Sequence, residues 1–217
     1  MLARLVARRF IAPRRLFSSD EELLEVINVD YFSRRGIGNF GEGDIFSWIP
    51  LEDRWELDLD DLVLETVRGL ADDLAPYDLA GALPGILDDL YRQTAPATPR
   101  WLAEYIVEDA LGLGKDPDLS LVDPACGTGV FLTAAIEAMS RNMADPLDVL
   151  FEAPEKIRGM DREPVAVVLA RLNYLLALGD LIQEEHPPFL LPIYLADAYS
   201  VPVAGQSESG DVVFTLT

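Results

Sequence analysis

The chain has 217 residues, half of them hydrophobic, which is enough for one large domain or one domain with an appendage. Its 38 acidic residues against 17 basic ones give a formal net charge of −21, which excludes the broad basic stripe of a free nucleic-acid binder. A single cysteine excludes a disulfide framework and favours a reducing compartment, and no apolar run reaches the roughly 18 residues that span a bilayer, so we expect a soluble protein without membrane contact.

The first nineteen residues differ from the rest because they contain five arginines and no acidic residue. The arginines are Arg4, Arg8, Arg9, Arg14 and Arg15. A basic, acid-free start that ends in serines is similar to a mitochondrial presequence. A basic amphipathic helix that belongs to the folded protein, or a misplaced start of the reading frame, explains the same pattern.

Residues 20 to about 90 predict a mostly helical region with irregular joints, including a loop rich in glycine and aromatic residues over 40–48. Apolar residues at near-helical spacing predict helices over 57–74 and 83–91. Seven aspartates here lack the ligand spacing of a calcium loop, so we interpret them as solvated charge and predict no metal site. They are Asp58, Asp60, Asp61, Asp72, Asp73, Asp88 and Asp89.

From Thr98 onward the pattern changes to helices that alternate with short strands. Thr98 as N-cap and Pro99 in the first turn predict the start of a helix. Its predicted buried stripe contains Leu102, Ile106, Val107, Ala110 and Leu111.

Four strands are predicted over 119–123, 156–160, 191–195 and 211–216. A helix to about Asn142, followed by a connection through Pro146 and Pro154, separates the first two strands. A helix over 163–178 precedes the third strand. This alternation predicts an α/β fold with a parallel sheet and right-handed crossovers.

The most informative segment is 122–131, Val-Asp-Pro-Ala-Cys-Gly-Thr-Gly-Val-Phe. A strand, a tight turn with Gly127 and Gly129, and a helix form the design of a nucleotide-type binding loop. The glycine spacing is not that of a dinucleotide loop, no Gly-Lys-Ser/Thr follows to hold phosphates, and Asp123 would repel a phosphate. A cationic or hydroxyl-bearing ligand fits better, which points to S-adenosylmethionine. Cys126 is interpreted as a small packing residue, since a nucleophilic role lacks a basic partner nearby in the sequence.

Three predicted strands end at or just before an acidic residue, namely Asp123, Asp161 and Asp197. Ligands of open parallel sheets bind beyond the carboxyl ends of the strands, so we expect the three carboxylates at matching positions around one crevice. Asp123 suits the ammonium group of the methionine end, and Asp161 suits the two ribose hydroxyls. Asp197 can accept a hydrogen bond from the exocyclic amine of the adenine.

The segment 123–132 resembles the cofactor motif of N6-adenine DNA methyltransferases of restriction–modification systems, above all the large Type I and Type IIG-like forms. Segment 159–173 is similar to the family's second motif, where the acid binds ribose, and 192–198 to its third. Thr-Pro-Arg-Trp-Leu-Ala-Glu is similar to the element before the sheet, although Ala97 replaces the usual aromatic residue.

The resemblance implies an incomplete Rossmann-like S-adenosylmethionine-dependent methyltransferase sheet over 91–217, preceded by the helical region 1–90. It also implies DNA as the substrate of the complete enzyme and a cytoplasmic, bacterial or archaeal source. The implied cofactor contacts are Thr98, Pro99, Asp123, Pro124, Ala125, Cys126, Gly127, Thr128, Gly129, Phe131, Asp161, Arg162, Asp197 and Ala198.

The sequence departs from the family at the catalytic motif, Asn-Pro-Pro followed by an aromatic residue, which in the family binds and stacks on the flipped adenine. Asp211-Val212-Val213-Phe214 is similar to the approach of the family's fourth strand, but Thr215, Leu216 and Thr217 take the place of the motif. His186-Pro187-Pro188-Phe189 lacks the Asn or Asp and precedes the third predicted strand, so we interpret it as a surface loop. No catalytic residue is therefore assigned.

We expect the chain to be the cofactor-binding part of an adenine-specific DNA methyltransferase, truncated and inactive alone, with its fourth strand left as an exposed edge. One alternative is a non-catalytic subunit completed by a second polypeptide that carries the catalytic motif and a target-recognition domain. Another is a degenerate methyltransferase that acts on a small molecule or a protein.

Overall fold

The computed structural model describes residues 1–13, 17, 19–41, 59–92, 97–113, 115–116, 119–183, 185–200, 203–206 and 212–215. Asp58, most of the predicted loop over 40–48 and the ends of the predicted fourth strand lie outside the described residues. The helices are α1 (Leu2–Ile11), α2 (Asp20–Ile27), α3 (Asp30–Arg34), α4 (Leu59–Leu74), α5 (Asp88–Arg92), α6 (Arg100–Tyr105), α7 (Val130–Asn142), α8 (Asp148–Lys156) and α9 (Pro164–Leu178). The strands are β1 (Ile37–Gly38), β2 (Leu121–Asp123), β3 (Ile157–Asp161), β4 (Phe189–Leu190), β5 (Ile193–Leu195), β6 (Val203–Gln206) and β7 (Val212–Thr215).

The centre of the fold is a three-stranded parallel sheet with the order β2-β3-β5. Helices α7 and α9 pack against each other and against this sheet. Their buried faces are rich in alanine and leucine, which allows close contact with the strands. The α/β prediction is confirmed. The first three predicted strands correspond to β2, β3 and β5, and their predicted ends differ from the observed ends by at most two residues.

Several predicted elements were wrong in detail. Pro99 rather than Thr98 precedes the first residue of α6, and the helix continues as a π-helical turn over Ile106–Ala110. The predicted stripe is only partly right, because Ala110 and Leu111 are exposed. The predicted connection before β3 instead forms α8, with Pro154 near its last turn.

The fourth predicted strand does not extend the parallel sheet in the part of the chain that the structure describes. Strand β7 pairs antiparallel with β6, from Val203 opposite Thr215 to Gln206 opposite Val212, and the two form a separate sheet. The strand itself was predicted, but its pairing with β6 was not. The edge of this strand that was expected to be exposed is therefore paired on one side.

Helix α1, which contains three of the five N-terminal arginines, is part of the core because it packs against α9, and Arg14 and Arg15 lie outside the described residues. The buried Arg8 forms an ion pair with Glu22 and lies 4.7 Å from the ring centroid of Phe17. The buried Arg9 donates a hydrogen bond of 2.8 Å to the carbonyl oxygen of Tyr77. Burial is tolerated because charge-assisted hydrogen bonds and aromatic faces replace water around these guanidinium groups. The amphipathic-helix interpretation therefore describes α1.

The stretch Pro164–Ile182 is long and apolar enough to cross a membrane, which corrects the expectation that no such stretch exists. Within the protein 67% of its apolar window is buried, and it contains the buried polar residues Arg171 and Asn173. Length and composition alone do not distinguish a membrane span from a core helix, and here the helix packs against the sheet and α1.

The N-terminal region is joined to the sheet by backbone pairing and by buried polar side chains. Strand β1 pairs with β4 in parallel. Asn39 donates to the carbonyl oxygens of Leu191 and Ile193 at 2.7 and 3.1 Å. Arg171 donates to Asn39 and to the same Ile193 oxygen, at 2.9 and 2.8 Å. The predicted boundary between residues 90 and 91 falls inside α5, and the division into two domains stays a prediction.

Candidate functional site

The three aspartates at the carboxyl ends of the parallel strands make the same local turn. In each case Oδ1 accepts a hydrogen bond from the backbone N–H two residues later. The distances are 3.1 Å for Asp123 to Ala125, 2.9 Å for Asp161 to Glu163 and 2.9 Å for Asp197 to Tyr199. This side-chain turn is a local preference of aspartate and redirects the chain as it leaves the sheet.

The strand register places the aspartates at different heights. Asp123 lies opposite Gly159, and Asp161 lies opposite Leu195. Each aspartate therefore lies two residues beyond the preceding one along the sheet, or about 6.6 Å at the rise of a parallel strand. The expectation that the three carboxylates lie at matching positions was wrong, because each is offset by two residues from the one on the neighbouring strand.

The glycine loop, residues 124–129 between β2 and α7, lies across the end of β3. The N–H of Cys126 donates to the Met160 carbonyl oxygen at 3.0 Å, and the N–H of Gly127 donates to Asp161 Oδ2 at 2.8 Å. Gly127 has a φ of +54°, a conformation that favours glycine, and a Cβ added there would meet no atom within 4 Å. The loop is thus fixed to Asp161 on one side and open on the other.

A cleft of about 740 Å³ opens at this edge of the sheet, within the size range of small-molecule sites. Six of the predicted cofactor residues line it, and they are Pro124, Ala125, Asp161, Arg162, Asp197 and Ala198. Asp161 and Asp197 therefore face one space, and the glycine loop contributes one of its walls.

The other predicted contacts do not line this cleft, and their role stays a prediction. They are Thr98, Pro99, Asp123, Cys126, Gly127, Thr128, Gly129 and Phe131. Asp123 is nonetheless close to the site, because it pairs with Gly159 on the neighbouring strand, two residues before Asp161. Burial and the charge of Asp161 raise its pKa. Thr128 is buried and Phe131 packs against the core, so neither side chain points to solvent.

Cys126 is a packing residue in this structure. It is buried, and burial followed by the charges of Asp123 and Asp161 raises the pKa of its thiol, which disfavours the nucleophilic thiolate. A Cβ added at Gly159 would lie 3.2 Å from Cys126 Sγ and 2.7 Å from Leu132 Cδ1. Gly159 in β3 thus provides the space into which Cys126 and α7 pack.

Sequence reasoning missed four residues of the cleft wall, which are Tyr91, Glu163, Ala196 and Tyr199. Glu163 and Tyr199 follow from the turns, since each provides the N–H that caps a strand-end aspartate. Tyr91 belongs to α5, which crosses the predicted boundary between residues 90 and 91, and only the fold brings it to the cleft. Burial, then the charges of Asp161 and Glu163, raises the pKa of Tyr91, and both carboxylates line the cleft together with it.

The solvated interpretation of the aspartate series holds for Asp72, Asp73 and Asp89 and was wrong for Asp88. Asp88 is buried and accepts hydrogen bonds from Thr128 Oγ1 at 3.0 Å and Asn173 Nδ2 at 2.9 Å. Its carboxylate meets the glycine loop and α9 instead of solvent. Among the described residues, no group of three or more His, Cys, Asp or Glu side chains could hold a metal ion.

His186 lies away from this cleft. It lines a separate depression together with Arg34, Arg35 and Glu185, and its Nδ1 lies 3.0 Å from the Pro187 carbonyl oxygen. Residues 186–188 lie in the connection between α9 and β4, which pairs with β1 in a sheet separate from the central one. The geometry gives His186 no contact with the strand-end aspartates.

Comparison with known proteins assigns the family. The N-6 DNA Methylase family matches residues 95–215, more than half of the chain, so the chain belongs to this family. It is 24% identical over 221 aligned residues to the adenine-specific methyltransferase PglX of Streptomyces coelicolor. That alignment covers 91% of this chain and 17% of the relative, so the chain spans about a sixth of the relative's length. No solved structure matches the chain.

Proposed function

We propose that this member of the N-6 DNA methylase family binds S-adenosylmethionine in the cleft at the end of the parallel sheet. We further propose that it is the cofactor-binding part of a cytoplasmic DNA adenine N6-methyltransferase of restriction–modification type. The observation that supports this most directly is Asp161. A carboxylate has about four acceptor positions, and the two backbone bonds to Gly127 and Glu163 leave two for a ribose diol.

The charge of the cleft supports a cationic nucleoside over a nucleotide. Three carboxylates, those of Asp161, Glu163 and Asp197, line the cleft together with the single cation Arg162 among the described residues. This balance attracts a sulfonium and an ammonium group and repels phosphates. The open backbone at Gly127 allows a ligand to approach the loop closely. The residues present therefore fit the proposed cofactor.

Each strand end has a separate task in this proposal. Asp123 and the glycine loop hold the methionine end, Asp161 accepts the ribose hydroxyls, and Asp197 with Ala198 holds the adenine. The strand order β2-β3-β5 serves as part of a Rossmann-like methyltransferase sheet. When bound, S-adenosylmethionine would supply a sulfonium methyl group for transfer to the amino nitrogen of a target adenine, with one proton of that nitrogen lost to solvent and a neutral thioether left as product.

Methyl transfer also requires a motif that binds the target adenine, and the 217 residues do not include the motif that the family uses. The sequence contains no Asn-Pro-Pro or Asp-Pro-Pro followed by an aromatic residue. Another stretch of polypeptide, in the same chain or in a second one, then holds the target adenine in DNA. The contribution of these residues is to fix the cofactor so that its methyl group lies in line with the acceptor nitrogen.

The test is calorimetric titration of the 217-residue chain with S-adenosylmethionine, with ATP as the comparison ligand. We expect saturable binding of S-adenosylmethionine and none of ATP, because the carboxylates repel phosphates. In a parallel assay with tritiated S-adenosylmethionine and genomic DNA we expect no methyl transfer by these residues alone. Tighter binding of ATP than of S-adenosylmethionine would contradict the proposed cofactor, and methyl transfer would contradict the proposed division of labour.

A further inference from the structure

A buried polar network connects the region before the sheet to the glycine loop. Asp88 accepts from Thr128 and Asn173, and Asn173 Nδ2 also donates to the Thr128 carbonyl oxygen at 2.9 Å. Asn173 Oδ1 in turn accepts from the N–H of Gly85 at 2.8 Å. Asp88, Thr128 and Asn173 are all buried. Because removal of one buried partner leaves the others unsatisfied, the network fixes α5 against the loop and α9.

Tyr91 lies one turn after Asp88 on the same short helix. It lines the cleft together with Asp161 at the end of β3 and with Asp197 and Ala198, which follow β5. The carboxylates of Asp161 and Glu163 line the same cleft, and after burial their charges raise the pKa of Tyr91. The helix that enters the network through Asp88 thus supplies an aromatic wall to the cleft.

We propose that Tyr91 is a ligand-contacting wall of the nucleoside half of the cleft and that Asp88 is the positioning residue that holds it there. The inference rests on the proposed function and adds Tyr91 to the site. Tyr91 precedes residue 95, at which the family match begins. An aromatic ring beside the ribose-binding carboxylate covers the flat, apolar face of an adenosine and excludes water from the Asp161 hydrogen bonds. The nucleoside site then requires residues on both sides of the predicted domain boundary.

The first experiment measures the affinities of S-adenosylmethionine and adenosine for the full chain, Tyr91→Ala, Tyr91→Phe and Tyr105→Ala. Tyr105 is an exposed tyrosine that does not line the cleft and serves as the matched control. Loss of the ring should weaken both ligands by the same factor, about three- to ten-fold, because both contain the nucleoside. Tyr91→Phe keeps the ring and should stay within about two-fold of the wild type.

The outcomes separate this inference from the proposed function. If the unmodified chain binds neither ligand, the proposed function and the inference both fail. If it binds and Tyr91→Ala behaves like Tyr105→Ala, only the inference fails. A loss confined to S-adenosylmethionine would place Tyr91 at the methionine end and would also overturn the inference.

The second experiment tests whether Asp88 acts through Tyr91. Asp88→Ala removes the acceptor of Thr128 and Asn173, whereas Asp88→Asn keeps an oxygen for Asn173. We expect Asp88→Ala to weaken ligand binding, and Asp88→Asn to restore most of it. In a double-mutant cycle, Asp88→Ala should have little further effect on affinity once Tyr91 is alanine, because the positioned ring is gone. Fully additive losses would overturn the positioning role, and unfolding temperatures report the separate effect on stability.

Discussion

Replacement of Asp161 by alanine is the most direct test of the proposed site. In the protein its two carboxylate oxygens accept from the N–H groups of Gly127 and Glu163 at 2.8 and 2.9 Å, and two acceptor positions remain for ribose hydroxyls. A hydrogen bond to a charged group contributes about 1.5–3 kcal/mol. Loss of two such bonds to the ligand costs at least about 3 kcal/mol, or about 100-fold in affinity at 1.4 kcal/mol per factor of ten.

The assay is calorimetric titration with S-adenosylmethionine, and Asp145→Ala is the matched control. Asp145 forms the same kind of turn, with Oδ1 accepting from the N–H of Leu147 at 2.9 Å, but it lies between α7 and α8 and does not line the cleft. Both variants lose a local turn, so both should unfold at a slightly lower temperature. Only Asp161→Ala should lose binding. Affinities for Asp161→Ala and Asp145→Ala that agree within about three-fold would refute the ribose contact.

Three further predictions concern the residues around the site. Gly159→Ala should destabilise the protein by about 1–3 kcal/mol in urea unfolding, since its Cβ would lie 2.7 Å from Leu132 Cδ1. The matched variant Gly69→Ala in α4 places a Cβ where no atom lies within 4 Å and should stabilise the protein by about 0.5–1 kcal/mol. The raised pKa of Asp123 means that its ionisation costs stability as pH rises; Asp123→Asn should therefore unfold at a higher temperature at pH 7, and the difference should vanish below pH 3.8, the ordinary aspartate pKa. Added salt should weaken S-adenosylmethionine binding more than that of neutral adenosine.

The strand-end aspartates could be predicted because an apolar run that stops at an acidic residue is a local signal. Asp123, Asp161 and Asp197 all follow from it, and the alternation of strands and helices predicted their common sheet. Their different heights could not be predicted, because the register depends on pairing between strands that are far apart in the sequence. Helix α8 was not predicted, and the reason is local. Proline is unfavourable inside a helix, so the segment that contains Pro154 was interpreted as a connection between elements.

Asp88 and Tyr91 show why the rest of the site was missed. An aspartate among acidic neighbours on a helix is usually solvated, and the partners of Asp88 lie 40 and 85 residues away in the sequence. Tyr91 has no motif of its own, and only the docking of α5 brings it to Asp161. The role of β7 was misassigned for a related reason, because a strand pattern predicts a strand but not its partner.

The link between Asn39 and the end of the sheet joins positions 152 residues apart, at the Leu191 carbonyl oxygen. A contact of such long range must close a large loop before it contributes any energy, which slows folding. The part of α1 that packs against α9 likewise remains uncovered until α9 has been synthesised, and we expect the nascent chain to be prone to aggregation in that interval. We therefore expect slow refolding from urea.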